Sequence, residues 1–559
     1  MPMMSGKRAL LEILRQEGVD VIFGNPGTTE LPLMDALAVE TSPRYVLGLQ
    51  EAAVMAMAGG YAQAGQRLAV VSVHVTPGLG NAMGMLYDAY KAGAPVLVTA
   101  GQHDQKFNVM EPILWADLPP IARPLVKWSA EVHRVEDLPR MLHRAITTAL
   151  APPTGPVFLS LPGDILNAEA DLDIGAPTRV ATRVRADAAA IDKAADLLLR
   201  AERPLILVGS DAAFSGASAE LVALAELLGA PVRMESVDNT APFPTAHPLF
   251  QGHIMRLEPQ IRAILDRHDV LFSVGGDMFT LSLPSDVTAV PPHLKIIHLD
   301  SDPWELGKNY PEEVAMVGDA KASVAELVRV LEERLTAADR TRLRARGEDV
   351  RKAIAAEREK LRARARKEAA EMQPPSALAL LDAISEVLPG NAIVVDETVS
   401  SNPGMRQLIL RDDAQNHYGM RGGGIGWGLS AAIGVKLAQP ERPVVALIGD
   451  GSAMYTIQGL WTAAHERVPV TWVIFNNSSY RILKQRVHAM NQHAAQTDRY
   501  VAMDLVDPRI DYAGLARSLG IRGERAGNLK ELKSLLATCI ASNAPALIDI
   551  EIDRSFKPL

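Results

Sequence analysis

The sequence predicts an α/β protein made of three doubly wound parallel-sheet domains. Short apolar runs rich in β-branched residues recur through the chain, each closed by Gly, Pro or a polar residue. Segments with helical patterning separate them, which is how buried parallel strands alternate with crossover helices. No short-period repeat is present, so a solenoid is excluded.

In the first domain, placed at residues 1–175, a helical stretch over 7–17 leads into VDVIFGNPG. YVLGLQE, LAVVSVHVTPG, PVLVTAG and PVFLSLP follow as further strands. Residues 171–187, with Gly175, Pro177 and several charges, read as a linker. The second domain, 186–330, alternates PLILVGS, a helix over 217–228, APVRMES, DVLFSVGG and LKIIHLD. Residues 331–375 are charge-dense and poor in apolar residues. Their helical propensity and acid-to-base pairs at helical spacing predict an exposed helical arm that ends at Pro374 and Pro375. The third domain, 376–559, resumes the alternation with NAIVVDE, a Gly-rich segment, PVVALIGDG, PVTWVIFNN and PALIDIEI.

Composition narrows the function. Of 559 residues, 48% are hydrophobic and 22% charged, a globular balance with material for several cores. The formal net charge of −9 argues against a general nucleic-acid or anionic-membrane binder. The lone cysteine, Cys539, excludes internal disulfides and cysteine-rich metal sites, and reads as a buried small hydrophobe. The N-terminal stretch turns amphipathic at once without a signal-peptide core, and no apolar run of roughly 18 residues occurs, so a cytoplasmic protein is expected.

The segment VVALIGDGSAMYTIQGLWTAAHERVPVTWVIFNNSS forms one β-α-β unit. The first strand delivers Gly449-Asp450-Gly451 to its carboxyl end, a helix over 454–466 crosses back, and the second strand ends at Asn476-Asn477. Ligands of open parallel sheets sit beyond these ends, so Asp450 and Asn477 should lie side by side. Carboxylate and amide oxygens suit a small hard cation such as magnesium, which also retains phosphate oxygens. Gly449 and Gly451 allow close backbone approach to a diphosphate, with the following helix N-terminus and Ser452 behind them. A lone GDG is common. Two side-chain amides closing a buried strand are costly unless something uses them, and GDG, one crossover helix and NN together form the thiamine-diphosphate signature.

From these residues the chain resembles the thiamine-diphosphate decarboxylase and acetohydroxyacid-synthase superfamily, and within it the benzoylformate decarboxylases. FGNPGTTELP, LGLQEA, LGNAMGMLYDA, PVLVTAGQ, RPLVKWS, APFPTAHPLFQG and GDGSAMYTIQGLWTAA carry the likeness along most of the chain. The resemblance implies a pyrimidine-binding first domain, a middle domain and a diphosphate-binding third domain. It also implies thiamine diphosphate with Mg2+ or Ca2+, and an active site at the subunit interface of a homodimer or homotetramer. Glu51 then matches the glutamate that shares a proton with the pyrimidine and promotes ylide formation. Asp450, Asn477 and the backbone oxygen of Ser479 match the metal ligands. Ile425 matches the residue that props thiamine into its bent shape, and Gly423 the carbonyl that meets its amino group. Thr398 and Ser400 stand at phosphate contacts, with Val399 between them departing from the hydroxyl-rich pattern. His74 matches the proton-relaying histidine, and Thr28 replaces a serine that meets the substrate carboxylate.

The likeness weakens where the substrate should sit. A second catalytic histidine is expected near Ser282, yet none occurs between His268 and His293. Ile482 and Arg486 replace small and aromatic pocket residues, one helical turn apart, and with Arg481 and Lys484 make that segment basic. It is either a solvated face or a site where Arg486 meets a second acidic group. The resemblance implies non-oxidative decarboxylation of a benzoylformate-like 2-oxo acid through ylide and enamine intermediates. The alternative is a carboligase or lyase of 2-hydroxyketones, or an acetolactate-synthase-like enzyme. The expected partners are a small 2-oxo acid or aldehyde, with no nucleic acid and no membrane.

Overall fold

The computed structural model describes residues 3–237 and 239–556. Two compact units are present. The first comprises residues 1–180, 392–401 and 420–559, and the second residues 181–391 and 402–419.

The first unit holds two parallel sheets. One runs in the spatial order Arg44–Leu47, Val21–Gly24, Ala69–Val73, Val96–Gln102, Val157–Pro162, Ser129–Glu131. The inner strands are buried along their whole length, which is why they read as continuous apolar runs. In the other sheet Ile393–Glu397, Val444–Gly449, Val470–Asn476, Ala546–Glu551 and Arg522–Ala526 lie in that order, all parallel.

Helices Glu51–Gly65 and Trp427–Ala438 pack so closely between these sheets that a side chain on Gly60 would collide with the carbonyl of Ala431, and one on Gly434 with that of Met57. Both helices are almost wholly buried, so each reads as apolar all round rather than amphipathic. Cys539 is buried within helix Leu529–Ser542, as its apolar setting predicts.

The second unit contains the third sheet, with parallel strands in the order Phe250–His253, Val232–Met234, Pro204–Val208, Val270–Val274, Lys295–Asp300, Val314–Val317. The charged segment is the largely exposed helix its composition suggests, but it is packed along one seam. Residues 331–334 still belong to helix Ala320–Arg334, and a single helix then runs Ala337–Glu371. Leu343, Gly347, Ile354 and Ala365 form its buried seam. Arg346 donates to the carbonyls of Ala201 and Leu228, and Arg358 to those of Thr245 and Phe250. Long arginine stems reach free backbone oxygens, so the helix straps its own domain with few apolar residues.

Candidate active site

Strand ends and the turns after them carry almost every candidate residue. In the C-terminal sheet, strand Val444–Gly449 delivers Asp450, and strand Val470–Asn476, paired to it up to Gly449 and Phe475, delivers Asn477. The crossover is broken where one helix was expected. A short helix, Asp450–Ala453, is followed by a second, Gly459–His465. The Ser479 amide donates to Asp450 Oδ2 at 3.2 Å, which brings Asp450 and Ser479 together, with Asn477 two residues before Ser479 at the adjacent strand end. The Tyr512 hydroxyl donates to the Asp450 carbonyl at 2.8 Å and holds the turn.

The two asparagines divide their work. Asn476 donates to Asp549 at 3.0 Å and accepts from the Ser478 amide and hydroxyl. Asn477 Oδ1 is buried without a hydrogen-bond partner. Nearby, burial pushes the Asp450 carboxyl up to about 6. A buried carboxylate beside an orphaned amide oxygen fits a divalent cation. No group of three or more His, Cys, Asp or Glu capable of holding a metal exists among the described residues. A cation here therefore needs further oxygens, from backbone and from a bound diphosphate.

The 398–401 turn lies beside this pair. Thr398 donates its hydroxyl to Asp396 at 2.7 Å, and Val399 takes a left-handed φ of 53°. Arg481, treated above only as part of a basic segment, is buried. It donates to Ser400 Oγ and carbonyl at 3.2 Å, to Ser401 Oγ at 2.5 Å and to the Asp553 carbonyl at 3.1 Å. No sequence signal distinguished this arginine from its half-buried neighbours Lys484 and Arg486. Its burial depends on the C-terminal segment folding back over it.

Left-handed φ values recur at non-glycine residues of the site. Val75 (39°) follows His74, and Ser478 (50°) follows Asn477. β-Branched residues rarely tolerate this region, so strain concentrates at the turns that aim functional groups.

In the N-terminal sheet Glu51 opens helix Glu51–Gly65 and is buried. Asn25 and Asn81 donate to its two oxygens at 3.3 and 3.0 Å. His74 ends the turn after Ala69–Val73 and begins helix Val75–Lys91. Its Nδ1 lies 2.9 Å from Glu30 Oε2 and 3.2 Å from Thr29 Oγ1. Glu30 is itself fixed by the amides of Gly27 (3.0 Å) and Gly101 (2.7 Å). This buried glutamate fixes the imidazole through Nδ1 and was not singled out in the sequence, where GTTELP carries only the family likeness. Burial, followed by the charge of Glu30, raises the phenol of Tyr45, which stands near both Glu30 and Glu51. Thr28 is exposed at the start of the 3-10 turn Thr28–Glu30.

The pocket candidates are less gathered. Ile482 and Arg486 lie one turn apart on helix Arg481–Ala489, both half-buried, and Arg486 Nη1 is buried without a partner. Ser282 lies in the second unit and donates to the Arg256 carbonyl at 3.1 Å.

Comparison with known proteins identifies the three domains. Residues 4–113 match the N-terminal TPP binding domain of thiamine pyrophosphate enzymes, 191–327 the central domain, and 403–550 the C-terminal TPP binding domain. Benzoylformate decarboxylase of Pseudomonas aeruginosa is 33% identical over 555 residues, 97% of this chain and 98% of that one. The acetolactate synthase large subunit of Haemophilus influenzae is 28% identical, covering 99% and 96%. The crystal structure of benzoylformate decarboxylase from Polynucleobacter necessarius superposes with a TM-score of 0.87 at 30% identity, covering all of both chains. A thiamine diphosphate-dependent 4-hydroxybenzoylformate decarboxylase of Rhodococcus jostii gives 0.85 at 29%, covering 99% of this chain and all of that one.

Proposed function

Because the chain belongs to the thiamine pyrophosphate enzymes, we propose that it decarboxylates a 2-oxo acid of the benzoylformate class without oxidation, releasing the aldehyde. The observation that carries this reading is the Glu30–His74 pair, on the same sheet edge as Glu51, in a chain so similar to a benzoylformate decarboxylase over its whole length. Thiamine diphosphate supplies an electron sink for the pair left behind as carbon dioxide departs. The chain's own residues do the rest. Glu51 holds a proton at the pyrimidine-binding edge. His74, oriented by Glu30, moves a proton to the carbon that loses carbon dioxide. Thr28 offers a hydroxyl to the substrate carboxylate. Asp450, Asn477 and the Ser479 carbonyl hold a magnesium or calcium ion that binds the diphosphate. Gly423 and Ile425 meet the thiamine, and Gly449, Gly451, Ser452, Thr398 and Ser400 line the phosphates.

The two halves of the site come from different copies of the chain. Glu51 takes its hydrogen bonds from its own domain. Beside it, Thr76 donates to the Leu114 carbonyl at 2.7 Å and anchors an exposed apolar segment, with Val109 87% and Ile113 83% exposed. Such a segment calls for a covering surface, and a second copy, in a homodimer or homotetramer, supplies it.

A carboligase reading is kept for one reason. Ser282, where a second histidine is expected, commits its hydroxyl to a backbone carbonyl.

The test supplies thiamine diphosphate and magnesium and offers benzoylformate, pyruvate and a dicarboxylic 2-oxo acid in turn. Carbon dioxide and aldehyde from benzoylformate are expected. Ligation of aldehydes with no carbon dioxide from any acid would replace this reading by the carboligase one.

A further inference from the structure

Every second amide of the segment 422–428 meets a buried carboxylate. Asp88, near the end of helix Val75–Lys91, accepts the Gly424 N–H on Oδ1 at 3.1 Å and is also hydrogen-bonded by the Gly422 amide. Glu397, closing strand Ile393–Glu397, accepts the Gly426 N–H at 2.5 Å on Oε1 and the Gly428 N–H on Oε2. The alternate positions are free. Gly423 is exposed at φ 86°, and a side-chain carbon there would meet nothing within 4 Å; Ile425 is half-buried.

The arrangement is costly, which argues that it serves something. Asp88 is 1% exposed and Glu397 2%. Burial pushes both carboxyls up to about 7, with the charge of Asp88 adding to that of Glu397. No cation faces either of them among the described residues; their partners are backbone amides and, for Glu397, the Ser452 hydroxyl. Asp88 Oδ2 has no partner at all. An apolar filling would stabilise the fold more than two uncompensated acids. What the acids supply instead is charge-assisted hydrogen bonding to four amides of a segment that glycines leave otherwise soft.

We infer that Asp88 and Glu397 are positioning residues for the cofactor, clamping alternate amides of the 422–428 segment so that Gly423 and Ile425 stand free to meet thiamine. One clamp comes from the N-terminal sheet's helix and the other from the C-terminal sheet, so the cradle takes shape only when these two domains are docked. This rests on the reading above that Gly423 and Ile425 contact the cofactor.

The test begins with the unaltered, cofactor-free protein. Residue-resolved hydrogen exchange should find the amides of 422, 424, 426 and 428 protected and those of 423 and 425 fast. Equal exchange along the segment overturns the inference, whatever any variant does. Affinity for thiamine diphosphate with magnesium is then read from quenching of tryptophan fluorescence, with buried Trp427 inside the segment. Asp88→Ala should weaken it about tenfold or more and speed exchange at 422 and 424, since hydrogen bonds to a charged group are lost. Asp88→Asn keeps an acceptor oxygen and should stay within about threefold of the unaltered protein. Ile425→Ala separates the two ideas. If it weakens binding while Asp88→Ala does not, the clamp has no positioning role. If neither weakens binding, the segment does not meet thiamine, and the underlying reading fails with it.

Discussion

The two halves of the candidate site are finished to different degrees. Around Glu51 and His74 nearly every acceptor is satisfied from within: Asn25 and Asn81 hold one carboxylate, and the amides of Gly27 and Gly101 hold the glutamate that orients the histidine. Around Asp450 and Asn477 the opposite holds. A carboxylate is buried without a cation and an amide oxygen is buried with nothing to accept from. The first half is built to hold protons in place. The second is built to be completed by a ligand, and its stability should depend on one.

The largest break in that contrast is expected at Glu51→Gln. Turnover should fall by a factor on the order of 10² to 10⁴ with only a modest change in the melting temperature, because one asparagine keeps an oxygen acceptor and the other can turn its amide to accept from the new NH2. Near-normal turnover would remove the proton-handling role.

Asn477→Ala should act on the other half. Magnesium-dependent binding of thiamine diphosphate, followed by calorimetry, should weaken by about 10- to 100-fold. Chelation of the metal should lower the melting temperature of the cofactor-loaded protein and leave that of the cofactor-free protein unchanged; equal lowering of both would show that the pair is structural.

Glu30→Gln tests how far the N-terminal network matters beyond its end members. The expectation is about a tenfold loss in kcat and a displaced pH profile, since the charge beside His74 is gone; a profile that does not move would reduce Glu30 to packing.

In the pocket, Arg486→Ala should harm a dicarboxylic 2-oxo acid by several-fold more in kcat/KM than benzoylformate, roughly the worth of one charged hydrogen bond. An equal effect on both acids would return Arg486 to the solvated face of its helix.

The smallest effect concerns Asp88. Burial raises its carboxyl from 3.8 to about 7, so between those values the folded chain keeps a proton that the unfolded chain has lost. Its contribution therefore falls as pH rises through that window and stays reduced above about 7. Asp88→Asn removes the penalty and should melt higher than the unaltered protein at pH 8, by about a degree or two, with the gap closing near pH 4. A gap that is the same at both values would show that the carboxyl is not raised.

Much was legible before any coordinates. Three α/β domains follow from strand-length apolar runs punctuated by Gly and Pro, because burial on both faces writes itself into composition. The Asp450–Asn477 pairing follows from strand ends meeting at one edge of a parallel sheet. Less was legible where one residue type serves two ends. The charged helix Ala337–Glu371 reads as exposed because its arginines look solvated, yet several end on backbone carbonyls that only packing supplies. Arg481 was indistinguishable from its basic neighbours for the same reason.

By itself the sequence determined the fold class, the strand ends that carry Asp450 and Asn477, and the cofactor family, since these depend on local pattern and on chain topology. Tertiary structure alone decided which asparagine is structural and which is free, that Glu30 together with Thr29 holds His74, and that Asp88 and Glu397 clamp one segment from two domains. Those outcomes turn on hydrogen-bond pairing between residues as far apart as Asp88 and Gly424, and the pairing of distant groups is a property of packing that no local pattern encodes.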